Sequence, residues 1–215
     1  MRSPVNKQFL EINKKPIFAH TLLKFQQCAS VDQIVVVVPA NWIERVSTEI
    51  VKGYEISKVS EIVHGGATRT ESVLKGLQKL DSNTSIVAIH DAVRPLVRVD
   101  DIKKVIAAGE KFGAAILAVK AQDTVKLVEN GIVKSTPDRK LLWQVQTPQV
   151  FEKELIIKAY QKAVDEKIIG TDDSSLVEHL GGKVHIVEGS YSNIKITNPG
   201  DLEMAEFLLS QTSEY

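Results

Sequence analysis

An unbroken run of β-branched residues, Ile34–Val38, most constrains what this chain can fold into. Apolar side chains on both faces of a strand suit a parallel sheet, because helices cover both faces of such a sheet. Runs of the same character recur at 85–90 and 114–119, and more weakly at 183–187. These runs predict the strands of a sheet that is buried on both sides.

Segments with the helical spacing of apolar residues separate these runs. The first begins near Pro16, and the second extends over 68–80. Asp100 is expected to cap a third helix over 102–112, and Asn198-Pro199 opens the last one. Strands and helices in alternation are typical of an α/β fold with a doubly wound, mainly parallel sheet.

The composition fits one globular domain. The chain has 215 residues and no linker or repeat divides it, so we predict a single domain over 1–215. Its 27 basic and 27 acidic residues balance, which argues against binding of nucleic acid or membranes through bulk charge. Cys28 is the single cysteine, so no internal disulfide or Cys-based metal cage forms, and a reducing, cytoplasmic compartment is expected.

One segment, at about 122–143, interrupts the alternation. Asn130-Gly131 lies there between two short apolar stretches, which is a strong hairpin signal. A hairpin of this size buries little surface by itself, so it is expected to pack on something else. From the residues alone, a dimerisation arm and a plain surface flap both remain open.

The loop after the strand that ends at Val63 is unusually polar. In open α/β sheets, ligands bind beyond the carboxyl ends of the strands. The pair Gly65-Gly66 followed by a helix start allows backbone N–H groups to approach an anion or a base. The alternative is a tight strand-to-helix turn that Thr68 caps.

The loop after Ile89 combines a carboxylate with a guanidinium. Asp91 is well placed to hold a divalent cation, and Arg94 to bind a phosphate. The alternative is that the two side chains pair and only fix the loop. The sequence contains no Gly-x-Ser-x-Gly elbow, no P-loop and no Gly-x-Gly-x-x-Gly, so hydrolase triads and those two phosphate-binding motifs gain no support.

Several of these segments together resemble one enzyme family, the 2-C-methyl-D-erythritol 4-phosphate cytidylyltransferases of the non-mevalonate isoprenoid pathway. They keep the family's order and approximate spacing from residue 7 to the last helix. They are Lys7-Gln8-Phe9-Leu10, Gly65-Gly66 with Arg69 and Ser72-Val73, His90-Asp91-Ala92-Val93-Arg94-Pro95, Asp123-Thr124, Asp138-Arg139 with Leu142-Trp143, Gln146-Thr147-Pro148-Gln149-Val150-Phe151, Thr171-Asp172-Asp173-Ser174-Ser175 and Asn193-Ile194-Lys195-Ile196-Thr197. The resemblance implies a Rossmann-like nucleotidyltransferase fold with a protruding β-hairpin arm.

The activity that the resemblance implies is transfer of CMP from CTP to 2-C-methyl-D-erythritol 4-phosphate, with release of pyrophosphate. The substrate phosphate attacks the α-phosphate of CTP in line, and Mg²⁺ bridges the triphosphate oxygens. Such catalysis depends on positioning and cationic stabilisation, because the attacking phosphate is already anionic. Lys7, Arg139 and Lys195 are the implied catalytic cations, and Asp91 is the implied metal ligand.

The resemblance also implies binding roles. Gly66, Ser72, Asp91 and Ala92 would bind the nucleotide, and Gly66 with Ser72 would read the cytosine. The residues implied to bind the sugar phosphate are Arg94, Thr124, Arg139, Thr147 and Lys195. Thr124 and Arg139 would reach the partner subunit's site from the arm, which makes the enzyme a homodimer, while Lys195 acts within its own subunit.

The start of the chain departs from the family pattern. The family begins with a strand and an Ala-Ala-Gly-x-Gly-x-Arg-Met loop that wraps the CTP triphosphate, and neither precedes Lys7 here. We expect that roughly 20 N-terminal residues of the natural protein are missing from this sequence. Without them the sheet would lose a buried strand and CTP would bind weakly.

Two other functions remain open at this point. A ribitol-5-phosphate cytidylyltransferase shares the fold and several motifs, although Arg139-Lys140-Leu141-Leu142-Trp143 and the Thr-Asp-Asp run favour the methylerythritol enzyme. A non-catalytic nucleotide-binding homologue would fit a chain that lacks the glycine-rich loop. Retention of all four charged residues, Lys7, Asp91, Arg139 and Lys195, argues against it.

Overall fold

Strands and helices alternate along residues 7–168 and 170–212, which the computed structural model describes. The strands are β1 (Glu11–Ile12), β2 (Lys15–Pro16), β3 (Ile34–Val38), β4 (Val59–His64), β5 (Ile86–Ile89), β6 (Ala114–Lys120), β7 (Leu127–Glu129), β8 (Ile132–Ser135), β9 (Trp143–Glu152) and β10 (His185–Glu188). The α-helices are α1 (Ile17–Gln27), α2 (Ile43–Arg45), α3 (Arg69–Leu77), α4 (Val99–Phe112), α5 (Lys153–Asp165), α6 (Asp173–His179) and α7 (Pro199–Thr212). A π-helical segment, Val46–Lys52, continues α2, and 3-10 turns occupy Lys7–Phe9, Ala40–Trp42 and Arg139–Leu141.

The central sheet has the strand order β10-β6-β9-β5. β10 pairs in parallel with β6, whereas β9 is antiparallel to both β6 and β5. Three of its four strands therefore run in the same direction. The predicted α/β fold with a mainly parallel sheet is confirmed, and β9 is the antiparallel addition.

Helices cover both faces of β6, as its apolar run predicts. Ala114 and Ile116 face a core cluster that includes Tyr160 of α5 and Leu176 of α6. The alternate residues Ala115 and Leu117 face a second cluster, with Phe25 of α1 and three apolar residues of α4. Each fully buried Leu or Ile stabilises the fold by about 1.5–3 kcal/mol. β6 is therefore packed against apolar side chains on both of its faces.

β3 and β4 form a separate parallel pair. In the described part of the chain, β3 pairs only with β4, and β5 only with β9. A cavity of about 990 Å³ lies between β3 and β5 and is lined by both strands. Val36 and Val38 of β3 are buried, whereas Val35 and Val37 are only half-buried, and all four residues line this cavity. The sequence predicts burial of both faces of β3, but only the face that carries Val36 and Val38 is fully buried.

Three local predictions need correction. Asp100 does not cap a helix, because α4 begins at Val99 and Arg98 is its N-cap residue. Asp100 lies instead in the first turn, where a carboxylate also interacts favourably with the helix dipole. α3 ends at Leu77, and hydrogen-bonded turns rather than helix continue to Leu80. Lys195, expected in a short strand, lies in an irregular segment whose next residue, Ile196, donates its N–H to the carbonyl of Val93.

The predicted hairpin is confirmed. β7 and β8 pair antiparallel, and Asn130 and Gly131 between them have φ angles of 50° and 77°, which suits a type I′ turn. Strand pairing is limited to 127–135 within the predicted arm at about 122–143. The apolar side chains of both strands are exposed, at 54–68% for Leu127, Val128, Ile132 and Val133. No helix among the described residues is long and apolar enough to cross a membrane.

The close packing of α4 on β9 generates a stability prediction. A Cβ atom added at Gly109 would overlap Cγ1 of Val150, a core residue of β9. We expect Gly109→Ala to lower the free energy of unfolding by about 1–3 kcal/mol, although alanine favours helix over glycine. Urea unfolding measures this change. Glu110→Ala, on the exposed side of the same helix, is the control and should leave the stability within about 0.5 kcal/mol of wild type. A stabilised Gly109→Ala variant would contradict the packing.

Candidate active site

A carboxylate between two cations lies at the carboxyl end of β5. Oδ2 of Asp91 is 3.0 Å from Nζ of Lys195 and 3.2 Å from Nε of Arg94. Burial would raise the pKa of the Asp91 carboxyl, but the charge and hydrogen bond of Lys195 and the charge of Arg94 outweigh it, so the pKa is lowered. The cluster carries a net positive charge, which suits an anionic ligand.

Arg94 is largely buried in this cluster. Its Nη1 donates to the backbone carbonyl of Asn193 at 2.8 Å, in addition to the bond with Asp91. The side-chain amide of Asn193 in turn donates to Gln146 Oε1 at 3.1 Å and to the Thr147 carbonyl at 3.0 Å. The alternative that Arg94 and Asp91 pair is therefore correct, and the same pair also fixes the segment that carries Lys195.

A hydrogen-bond chain connects β9 to the loop after β5. The N–H of Asp91 donates to Thr147 Oγ1 at 3.1 Å, and this hydroxyl lies 3.0 Å from Nδ1 of His90. Nε2 of His90 lies 3.2 Å from the carbonyl of Arg94, to which it donates. Burial lowers the pKa of His90 to about 4, so the ring is neutral at pH 7. Nδ1 of the neutral ring therefore accepts from the Thr147 hydroxyl.

The nucleotide loop, which we define as 65–72, is closely packed on itself. Gly66 donates its N–H to Ser72 Oγ at 3.0 Å, and that hydroxyl donates to the Thr68 carbonyl at 2.8 Å. A Cβ at Gly66 would overlap Cβ of Glu71, so only glycine fits this approach. Thr68 also caps α3, as the alternative interpretation of this loop predicts. The interpretation of this loop as a capped strand-to-helix turn is therefore confirmed.

The predicted site residues divide between two cavities. Gly66, Ser72 and Ala92 line the cavity of about 990 Å³ between β3 and β5. Arg94, Thr147 and Lys195 line a second cavity of about 540 Å³ on the other side of the loop after β5. Asp91 and Arg69 line both. The structure therefore brings the nucleotide and sugar-phosphate candidates to adjacent cavities.

Three of the predicted residues lie elsewhere. Thr124 and Arg139 are exposed on the arm, outside the lining of both cavities, and Nη1 of Arg139 donates to the Gln122 carbonyl at 2.7 Å. Lys7 opens the first 3-10 turn, and its side chain falls outside the described atoms. Within one subunit, Arg139 therefore does not join the Asp91 cluster.

The cluster of Asp91, Arg94 and Lys195 contains one carboxylate, Asp91, that could bind a divalent cation. Among residues 7–168 and 170–212, no group of three or more His, Cys, Asp and Glu side chains is arranged to hold a metal. Asp91 would serve as a ligand, and phosphates and water would supply the other oxygens, which is how Mg²⁺ usually binds with nucleotides. The site fits such a cation only together with its nucleotide.

Sequence patterns give no role to Tyr160 and Gln149, which the structure places beside the predicted residues. Gln149 is buried on β9 and donates to Asp172 Oδ2 at 2.8 Å. Tyr160 is buried on α5, and its hydroxyl donates to Asp173. A tyrosine on the apolar face of a helix requires a partner for its hydroxyl, and that requirement is the signal that could have identified Tyr160.

The carboxyl ends of β4 and β5 bring a glycine turn and a cation-flanked carboxylate to one cavity, an arrangement that fits a nucleotidyltransferase. The model of the 2-C-methyl-D-erythritol 4-phosphate cytidylyltransferase family matches residues 1–211, and the chain belongs to this family.

Relatives support the assignment along the whole chain. The 2-C-methyl-D-erythritol 4-phosphate cytidylyltransferase of Syntrophotalea carbinolica is 43% identical, over 100% of this chain and 93% of its own. That of Halalkalibacterium halodurans is 46% identical, over 98% and 92%. The crystal structure of 4-diphosphocytidyl-2C-methyl-D-erythritol synthase from Anaerococcus prevotii superimposes with a TM-score of 0.88 at 33% identity, covering 95% of this chain and 90% of that one.

The neutral His90 predicts a specific acid sensitivity. Its pKa is about 4 in the folded protein and 6.5 ordinarily, so the unfolded chain takes up a proton first as the pH falls. The stability from His90 is complete above pH 6.5 and is lost between pH 6.5 and about 4, by up to about 3 kcal/mol.

Urea unfolding at pH 7, 5.5 and 4.5 measures this loss. The wild type should lose more free energy of unfolding over this range than His90→Gln, which has no titrating ring. Equal losses in the two proteins would show that His90 is charged in the folded state.

Proposed function

We propose that this chain transfers CMP from CTP to 2-C-methyl-D-erythritol 4-phosphate and releases pyrophosphate. The observation that carries this function is the family match over residues 1–211. The geometry agrees, because the cavity lined by Gly66, Ser72 and Ala92 and the cavity lined by Arg94 and Lys195 meet at Asp91. A ribitol-5-phosphate cytidylyltransferase is not favoured, because the matched family and relatives are methylerythritol enzymes.

The reaction needs positioning and positive charge rather than a proton acceptor. An oxygen of the sugar phosphate forms a bond to the α-phosphorus of CTP, and the bond from that phosphorus to the bridging oxygen breaks as pyrophosphate leaves. The attacking oxygen is anionic at neutral pH, so no base is required. His90 suits this chemistry, since its ring is neutral and both ring nitrogens are engaged. Lys7 is assigned to the charge that develops on the reacting phosphate.

The nucleotide loop is assigned to cytosine recognition. Its backbone N–H and hydroxyl groups, at Gly66 and Ser72, bond to each other and face the larger cavity. A base with complementary donors and acceptors replaces that internal bond without loss, and a mismatched base leaves one group unpaired. Ala92 lines the same cavity at the end nearest Asp91. When Mg²⁺ is bound at Asp91, it supplies charge neutralisation on the triphosphate.

The smaller cavity is assigned to the sugar phosphate. Lys195 is half-exposed there and reaches a ligand phosphate without leaving the neighbourhood of Asp91. Thr147 and Arg94 line the same cavity, but each is held by hydrogen bonds within the protein. Their contribution is to orient the cavity wall, and Lys195 supplies the more exposed positive charge.

The part of this cavity that β3 and β5 line is assigned to a further strand, which leaves the part lined by Gly66, Ser72 and Ala92 for the nucleotide. Support comes from the facing edges of two strands that have no neighbour on this side among the described residues. The carboxyl end of such a strand would emerge between the nucleotide loop and Asp91. A glycine-rich loop at that point would present backbone N–H groups to the triphosphate.

Pyrophosphate release from CTP and 2-C-methyl-D-erythritol 4-phosphate with Mg²⁺ tests the function. The assay compares the 215-residue chain with one that carries the family's strand and glycine-rich loop ahead of Met1. Activity is expected in the longer chain and not with ribitol 5-phosphate. Equal activity in both chains would show that no further strand is needed between β3 and β5. Preference for ribitol 5-phosphate would overturn the proposed function.

The arm is assigned to a homodimer in which Arg139 acts on the partner subunit's site. Its apolar strands are exposed in the single chain, and Arg139 is remote from the Asp91 cluster. Exposed apolar surface of this kind is typical of an interface. The assignment predicts that Arg139→Ala and Lys195→Ala each raise KM for the sugar phosphate, by about tenfold or more, with little change in KM for CTP.

Mixing the two variants separates action within a subunit from action across the dimer. Each mixed dimer has one site that combines an intact Lys195 with the partner's intact Arg139, and one site that lacks both. Half of the dimers in an equal mixture are mixed, so about one quarter of the wild-type activity should return after subunit exchange. No recovery would show that Arg139 acts within its own subunit. Lys183→Ala, an exposed lysine beyond both cavities, is the control.

A further inference from the structure

Arg69, the first residue of α3, lies at the junction of the two cavities and lines both. Its Nη1 and Nη2 donate to the two carboxylate oxygens of Asp173, at 2.7 and 2.8 Å. The Asp173 side chain is fully buried, whereas half of the Arg69 side chain is exposed. The guanidinium is therefore bound to the protein through Nη1 and Nη2, while half of the side chain stays exposed where the two cavities meet.

Tyr160 completes what we call the Arg69 cluster, which consists of Arg69, Tyr160 and Asp173. The buried Tyr160 hydroxyl donates to Asp173 Oδ1 and accepts from Nη1 of Arg69 at 3.3 Å. The neighbour of Asp173, Asp172, caps α6 and accepts from Gln149 on β9. The cluster thus connects α3 to α5, α6 and the central sheet.

The cluster joins two parts of the site that are otherwise organised separately. The nucleotide loop forms hydrogen bonds mainly within itself, from Gly66 to Ser72 and from Ala67 to Glu71. Lys195 and Arg94 belong to the central sheet side, through Asn193 and β9. In the described chain, Arg69 provides the side-chain bonds from this loop to α5 and α6.

A purely structural role explains this arrangement poorly. A buried ion pair is weak evidence for stability, because well-packed apolar residues often replace it without loss. Here the buried Asp173 carboxylate pairs with Arg69, whose side chain is half-exposed where the two cavities meet. What this geometry does provide is a fixed position, since a bidentate pair defines the plane of the guanidinium.

We propose that Asp173 and Tyr160 are positioning residues that hold Arg69 in place. Through Arg69 they fix the distance between the nucleotide loop and Lys195, so that CTP and the sugar phosphate bind at the same time. The inference rests on the proposed function. The proposal gives the Thr171–Ser175 motif a role, which is to hold the nucleotide loop in a fixed position relative to the cavity that contains Lys195.

The test uses single and double variants of the form of the chain that is active in the pyrophosphate assay. Arg69→Gln alone leaves the buried Asp173 carboxylate unpaired and is expected to lower the melting temperature. The double variant Arg69→Gln with Asp173→Asn removes both charges and should recover most of that temperature. Its Kd for CTP, measured by calorimetry, should stay about tenfold or more above the wild-type value, because a small misplacement of a binding group has a large effect.

Two further variants make the readout specific. Tyr160→Phe removes one hydroxyl and should raise Kd for CTP about threefold, with kcat changed less than KM. Arg69→Lys keeps the charge without the bidentate geometry, so it should restore stability better than it restores CTP binding. Lys162→Gln on α5, whose 3.8 Å pair with Glu166 is on the surface, is the matched control and should behave as wild type.

Recovery of both the melting temperature and the wild-type Kd in the double variant would overturn the proposal, because the pair would then be structural only. If the double variant does not fold, Tyr160→Phe decides: a lowered melting temperature with wild-type Kd overturns the proposal, and a raised Kd supports it. If the wild type binds CTP but does not transfer CMP, the proposed function is wrong. The comparison of Kd for CTP between wild type and variants still tests the positioning role in that case.

Discussion

The site depends on the hydrogen-bond chain that joins the Asp91 N–H, the Thr147 hydroxyl and the neutral ring of His90. It fastens the loop after β5 to β9, the antiparallel strand between β5 and β6. β9 in turn carries Gln146 and Gln149, which hold the segments of Lys195 and Asp172. One strand of opposite direction thus organises the carboxyl edge at which all the ligand-facing loops meet.

Charge follows from this framework. Asp91 is held beside Lys195 and Arg94, and Asp173 is held beside Arg69. The cluster of Asp91, Lys195 and Arg94 therefore keeps a net positive charge where the two cavities meet. A reaction between two polyanions needs positive charge at the site to stabilise its transition state. A free general base would not accelerate this reaction further, because the attacking oxygen is already anionic.

Local patterns predicted the fold better than the site. The apolar run of β6 and the Asn130-Gly131 turn determine their own conformations, because residues 114–119 are all apolar and buried and a type I′ turn suits that dipeptide. The start of α4 and the conformation around Lys195 depend on contacts with distant residues, such as the bond from Ile196 to Val93, and were predicted wrongly. The Asp91 cluster was predicted as two alternatives because a carboxylate that pairs with arginine and one that faces a ligand have the same sequence. The role of Tyr160 depends on Asp173, 13 residues away, and no local pattern records that pairing.

The open edges of β3 and β5 have a consequence for the behaviour of the chain in solution. An unpaired strand edge is a template for any extended segment of matching register, including one from another molecule. Among the described residues, no strand pairs with either edge on this side, so intermolecular strand pairing should start in the half of the sheet that carries the nucleotide loop.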